Sequence, residues 1–146
     1  MNQHNLELIK KQYSEKELEQ NINLFDDRDW YAISIFQKLS EKFIDKYSSR
    51  INWDWVASEQ ELSELFIEKH ADKVNWYHVS SYQNLSENFI EKYSDKLDWI
   101  YISEFQKLSE EFIKKHINKI NINYLMVNNK ISKKIKKEIK SLKEII

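Results

Sequence analysis

A 23-residue period runs through this chain and limits its fold more than any other feature. Leu39 opens LSEKFIDKYSSRINWDWVASEQE, Leu62 opens LSELFIEKHADKVNWYHVSSYQN, and Leu85 opens LSENFIEKYSDKLDWIYISEFQK. Leu108 opens a weaker copy, LSEEFIKKHINKININYLMVNNK, in which Ile122 replaces the Trp and Asn129 the Gln. Upstream, Trp30, Ile33, Ser34 and Gln37 keep the phase, so a divergent copy covers about residues 13–38. Downstream, Ile131 and Ser132 begin a last half-copy. Units this short cannot enclose a core alone; they bury apolar surface by stacking on their neighbours.

Each block reads as two short helices. Ser40 is an N-cap whose hydroxyl accepts from first-turn amides, and Leu39 with Ile44 forms a hydrophobic staple around it. The first helix is expected from Glu41 to about Ser49, with Glu41 and Arg50 placed favourably for the helix dipole. Asn52 is a second N-cap, stapled by Ile51 and Val56, and opens a helix running to about Gln60. The same double signature recurs at Ser63 and Asn75, and again at Ser86 and Asp98. Trp53, Val56, Ala57 and Gln60 fall on one helical face. The expected fold is all-α: an α-solenoid of short helical hairpins, about five repeats with capping helices at both ends. As one domain over 1–146 it divides into an N-terminal cap (1–15) and a divergent repeat (16–38). Regular repeats follow at 39–61, 62–84 and 85–107, then a degenerate repeat (108–130) and a basic amphipathic cap (131–146). Leu6, Ile9 and the stretch Tyr13–Leu24 are expected to close the N-terminal end, and Ile131, Ile135, Ile139, Leu142 and Ile146 the C-terminal end.

Composition removes whole function classes. The chain has no Gly, Pro or Cys. Without Gly it cannot form a Gly-rich phosphate loop; without Cys it has no thiolate nucleophile and no Cys-based zinc site. No apolar run approaches the ~20 residues of a membrane span. The polar N-terminus has no signal core, so the expected location is the cytoplasm. The net charge is −1, with residues 130–146 at +5 and residues 1–129 therefore at −6. The lysine-rich tail reads as a soluble end cap, or as a basic helix for an anionic surface or phosphates.

Candidate chemistry is sparse. His70 and His116 fill the slot that Tyr47 and Tyr93 occupy in sister copies, which calls for a flat ring rather than a metal ligand; the alternative is a pairing of His70 with His78. Recurrent Glu41, Glu64, Glu87 and Glu110 read as solvated ridges with dipole and i,i+4 roles. Recurrent Gln37, Gln60, Gln83 and Gln106 read as caps for free carbonyls where a helix ends, or as a ladder reading a polymer. No catalytic, metal or cofactor residues are expected.

The informative positions vary against the fixed frame. Tyr31, Phe36, Trp55, Tyr77, His78, Tyr82, Tyr101 and Phe105 lie on the second helices outside the slots that stapling and stacking require. Tyr and Trp are large, stiff interface anchors with a polar handle. Either these rings bind a protein partner or they close the seam between blocks.

The block L-S-E-x-F-I-E-K-[YH]-x-D-K-[LV]-[ND]-W-x-x-[IV]-S-x-[YF]-Q resembles short tandem repeats in uncharacterised proteins of large DNA viruses and bacteriophages. The resemblance covers about residues 30–127 and implies a repeat scaffold, with no activity attached. The expected function is a non-enzymatic protein–protein interaction scaffold. In a virus this would act in the host cytoplasm, as an inhibitor of a host defence protein. The alternatives are a single-stranded nucleic-acid binder, with aromatics stacking on bases, and a self-assembling homo-oligomer.

Overall fold

The computed structural model of the protein describes residues 3–143, with side chains over 7–141. Among the described residues there are twelve α-helices and no strand. The chain divides into two compact units, Met1–Asn75 and Trp76–Ile146. The first holds α1 (Gln3–Lys10), α2 (Glu15–Gln20), α3 (Asp27–Phe36), α4 (Glu41–Lys46), α5 (Trp53–Glu59) and α6 (Glu64–Lys69). The second holds α7 (Trp76–Tyr82), α8 (Glu87–Lys92), α9 (Trp99–Phe105), α10 (Glu110–Lys115), α11 (Ile122–Val127) and α12 (Lys133–Lys143). In the first unit α1 packs on α3 and α3 on α5; in the second α7 packs on α9 and α9 on α11, with α12 against α10 and α11. This is the all-α repeat arrangement of solenoid type that the period implies.

Local capping sets the helix starts. Ser40, Ser63, Ser86 and Ser109 each accept from the amide three residues on, that of Phe43, Phe66, Phe89 and Phe112. Asn52, Asp98 and Asn121 accept from the amide two residues on. A side-chain acceptor here satisfies amides that have no partner within the helix. The first helices end sooner than expected, at Lys46 rather than Ser49, because Tyr47 leaves the helical region (φ −110°, ψ 27°). Its carbonyl then accepts from both Arg50 and Ile51 amides, at 2.8 and 3.0 Å, so a hydrogen-bonded turn carries the chain to the next helix.

Helices of six or seven residues have no stability of their own in water, so bonds between repeats must hold them. Three recur. The buried Gln60 amide donates to the Ser34 and Gln37 carbonyls (3.2 and 2.8 Å) and accepts from Leu39 N–H (2.9 Å). Gln106 does the same with Ser80, Gln83 and Leu85. These glutamines are caps, and the helix end each one caps belongs to the preceding repeat. Buried in this way, they are not a ladder for an external polymer. The second bond runs through serine. Ser34, Ser80 and Ser103 hydroxyls donate to the carbonyl four residues back and accept the amide of the next repeat's second cap, Asn52, Asp98 and Asn121. Ala57 has a methyl at this slot. The third bond uses glutamate: Glu15, Glu41 and Glu87 accept the amides of Ser40, Ser63 and Ser109 in the following repeat. The carboxylates expected as solvated ridges thus tie repeats together. The i,i+4 role survives in Glu110 with Lys114 and, more loosely, Lys134 with Glu138.

The core between repeats is aromatic. Trp53 stacks on Phe66 of the next repeat at 6.3 Å and lies 4.7 Å from the His70 ring. Trp76 meets Phe89 and Tyr93, and Trp99 meets Phe112 and His116, in the same way. A cation from a following turn covers each of the four Trp residues at the repeat seams: Arg50 over Trp30, Lys73 over Trp53, Lys96 over Trp76, and Lys119 over Trp99. Such pairs each add about 0.5–2 kcal/mol, more where water is excluded.

Both ends reuse half a repeat. The amide of Gln37 donates to the Leu8 and Lys11 carbonyls and accepts from Tyr13 N–H, so α1 stands where a preceding second helix would. Leu8 is buried there, while Ile9, expected in the cap, is exposed. The divergent repeat starts at Tyr13, and a 3-10 turn at Ile22–Leu24 absorbs its extra length. At the other end, Ser132 accepts from Ile135 N–H as the earlier serines do, and Ile131 and Ile139 are buried. The expected cap residues Leu6, Leu142 and Ile146 lie outside the residues whose side chains are described.

Candidate functional site

Four positions on each second helix face the stack, and the rest must face outward, since each residue turns the helix by about 100°. Val56, Ala57 and Gln60 are buried and their counterparts match: Val79, Ser80 and Gln83; Ile102, Ser103 and Gln106. The outward positions carry the aromatic residues singled out from the sequence.

In the first unit Tyr31, Phe36 and Trp55 are exposed. In the second unit Tyr77, Tyr82 and Phe105 are exposed, Tyr82 the most open at 62 %. His78 and Tyr101 are half-buried. The rings of the second unit form one chain of contacts. Tyr77 packs edge-on against Tyr101 of the next repeat at 4.5 Å, and their hydroxyls share a hydrogen bond of 2.6 Å. His78 contacts Tyr77 at 5.5 Å and Tyr82 at 5.8 Å; Tyr101 stacks on Phe105 at 6.0 Å. The structure thus brings together Tyr77, His78, Tyr82, Tyr101 and Phe105. Tyr77 and Tyr101 touch between repeats and still leave ring surface open.

Sequence reasoning missed Ile100, Tyr124 and Val127, which are exposed on the same helices. Tyr124 occupies the slot of Tyr101 in its own copy, so register alone would have found it.

The phenol pair has an electrostatic consequence. The hydrogen bond with Tyr77, together with burial and the neighbouring charges, pushes the Tyr101 hydroxyl up to about 12. The Tyr101 phenol therefore stays neutral near pH 7 and pairs with the Tyr77 hydroxyl.

Charge is divided between helix types. α5, α7, α9 and α11 contain no Lys or Arg, whereas α4, α6, α8 and α10 each contain Lys. The first helices form a ladder of ion pairs between repeats: Lys46 with Glu19, Lys69 with Asp45 (both 2.7 Å), and Lys115 with Glu91. The partner lysine holds the Glu19, Asp45 and Glu91 carboxyls below their ordinary range.

The histidines are structural in their surroundings. His70 stacks on Trp53 and Phe66 and contacts Asp45 at 3.1 Å. His116 packs on Trp99 and Phe112, and its Nε2 lies 4.0 Å from Glu91. Burial pushes the His116 pKa down. Among the described residues no three His, Asp or Glu side chains gather as metal ligands would, and no helix is long and apolar enough to cross a membrane.

Comparison with protein-family models, with curated proteins and with solved structures found no match to the chain.

Proposed function

We propose that the chain is a non-catalytic protein-binding scaffold, in which the second helices present their outward aromatic side chains to a partner. One observation carries this reading. Tyr77, His78, Tyr82, Tyr101 and Phe105 form a row of touching rings, several of them exposed, at positions the repeat frame leaves free. Rings that touch each other have already lost part of their freedom, so less entropy is lost on binding. Aromatic anchors of this kind dominate interface energetics. The resemblance of the repeat to viral and phage sequences makes host defence proteins the first partners to test.

Nucleic-acid binding is less well supported, because stacking on bases needs cations beside the rings for the phosphates, and α5, α7, α9 and α11 carry no Lys or Arg. The test places a photo-crosslinking residue at position 82, or at the control position 42 on a first helix. A protein crosslinked from 82 but not from 42, and lost when Tyr101→Ala/Phe105→Ala is added to the position-82 probe, is the expected result. Equal labelling from both positions, or a crosslinked protein that survives the double substitution, overturns the reading.

A further inference from the structure

The chemistry of the aromatic row narrows what it can hold. We infer that, in the second unit, the row receives a segment rich in lysine or arginine, seated on Tyr77, Tyr82, Tyr101 and Phe105 and paired with Glu104. This rests on the protein-binding reading above and goes further by naming the class of partner.

Three observations support it. First, α7, α9 and α11 bear no positive side chain, and Glu104 is their charged residue, with Asp98 capping α9. Within these helices no side chain repels a cation, and Glu104 offers a counter-charge; the next cation along the chain is Lys107, beyond the buried Gln106. Secondly, aromatic rings attract cations to their faces, and this protein uses that attraction between its repeats, as in Lys96 over Trp76 at 5.2 Å and Lys119 over Trp99 at 5.3 Å. Among the described residues no Lys or Arg covers Tyr82, Tyr101, Phe105 or Tyr124. The outward rings thus have the acceptor half of a contact whose other half the inner Trp residues receive from within the chain. Thirdly, one proton lies between the Tyr77 and Tyr101 hydroxyls, and whichever of them donates it, the Tyr101 oxygen keeps a lone pair able to accept from an ammonium or guanidinium. In the first unit α5 follows the same rule, with Asp54, Trp55 and Glu59 and no cation, whereas α3 carries Arg28.

The test uses the full chain and three labelled 15-residue peptides: one of Lys, Arg and Ala, its Glu counterpart, and a neutral Ser/Leu peptide. Anisotropy is read at low and at moderate salt. The cationic peptide is expected to bind tightest and to weaken as salt rises. Glu104→Lys is expected to lower its affinity about fivefold or more, on the scale of one cation–π or ion-pair contact. Glu111→Lys, an exposed residue of α10 with the same change of charge, should change it less than about twofold by the same measure. Tyr77→Ala/Tyr101→Ala should match Glu104→Lys, with the far-ultraviolet spectrum showing whether the helices persist. The inference fails if the cationic peptide binds no tighter than its Glu counterpart, or if Glu104→Lys and Glu111→Lys act alike. If the neutral peptide binds best and depends on the tyrosines, the cationic partner class is wrong while the docking surface stands. Loss of the docking surface itself is read separately, from the crosslinks at position 82.

Discussion

The side-chain amide of Gln106 donates to the main-chain carbonyl of Gln83 at 2.8 Å, one full repeat earlier in the chain. The same side chain also donates to Ser80 and accepts from Leu85, so one residue closes three buried backbone groups. Gln106→Leu keeps the approximate volume and removes all three bonds. Each unsatisfied buried group costs about 1–3 kcal/mol, so unfolding in urea should show a loss of about 3 kcal/mol or more. A loss below about 0.5 kcal/mol would mean that the amide is ornamental.

Ser103 tests the second inter-repeat bond. Its hydroxyl accepts from Asn121 N–H at 3.0 Å and is fully buried. Ser103→Ala should cost about 1–2 kcal/mol by leaving that amide without its acceptor. The methyl of Ala57 at the equivalent slot shows that the smaller side chain fits the frame, so the loss reads the hydrogen bond rather than a clash. The midpoint of thermal unfolding, compared with wild type, measures it.

The phenol pair predicts a spectroscopic shift. Tyr101 is pushed up to about 12 chiefly by its hydrogen bond with Tyr77. In Tyr77→Phe that bond is gone, and Tyr101 should titrate closer to the ordinary value of about 10. Carbon-13 labelled tyrosine followed by NMR from about pH 9 to about pH 11, a range that spans that ordinary value, should show Tyr101 ionising in the variant and still protonated in the wild type. Identical titration curves would refute the assignment.

Acid should weaken the protein in two stages. Burial lowers the His116 pKa in the folded chain, so the unfolded chain takes the proton first, and stability falls as pH drops from about 6.5 through the folded value. Asp45, Glu19 and Glu91 are held low by lysines in the folded state. Their contribution is fully present above their unfolded values of about 4 and is lost as pH falls through the folded ones. His116→Tyr, which copies the ring at Tyr93, should abolish the upper stage and leave the lower one. Chemical denaturation repeated across pH gives both slopes.

The aromatic row should be separable from stability. Tyr82 is 62 % exposed, so Tyr82→Ser should shift unfolding by less than about 0.5 kcal/mol while partner binding falls. A large loss of stability without loss of binding would reverse the roles assigned here.

What the sequence determined alone is the element order. Helix starts depend on contacts two or three residues apart, so Ser40, Asn52, Ser86 and Asp98 declared them without any knowledge of the fold. The outward position of Tyr77, Tyr82 and Phe105 was legible for the same reason, because helical phase is local. What only the tertiary structure decided is which groups meet across repeats. Glu87 was readable as a first-turn acid, but that it holds the Ser109 amide depends on how far α8 lies from α10. The last glutamine slot shows the limit best. Register assigns it to Asn129, yet α11 is one residue shorter than its sisters, and Asn128 instead donates to the Ser103 and Gln106 carbonyls, both at 2.8 Å. Asparagine is a methylene shorter than glutamine, and ending the helix a residue early brings its amide within reach. A period counts residues; hydrogen bonds obey distances, and those exist only once the helices have packed.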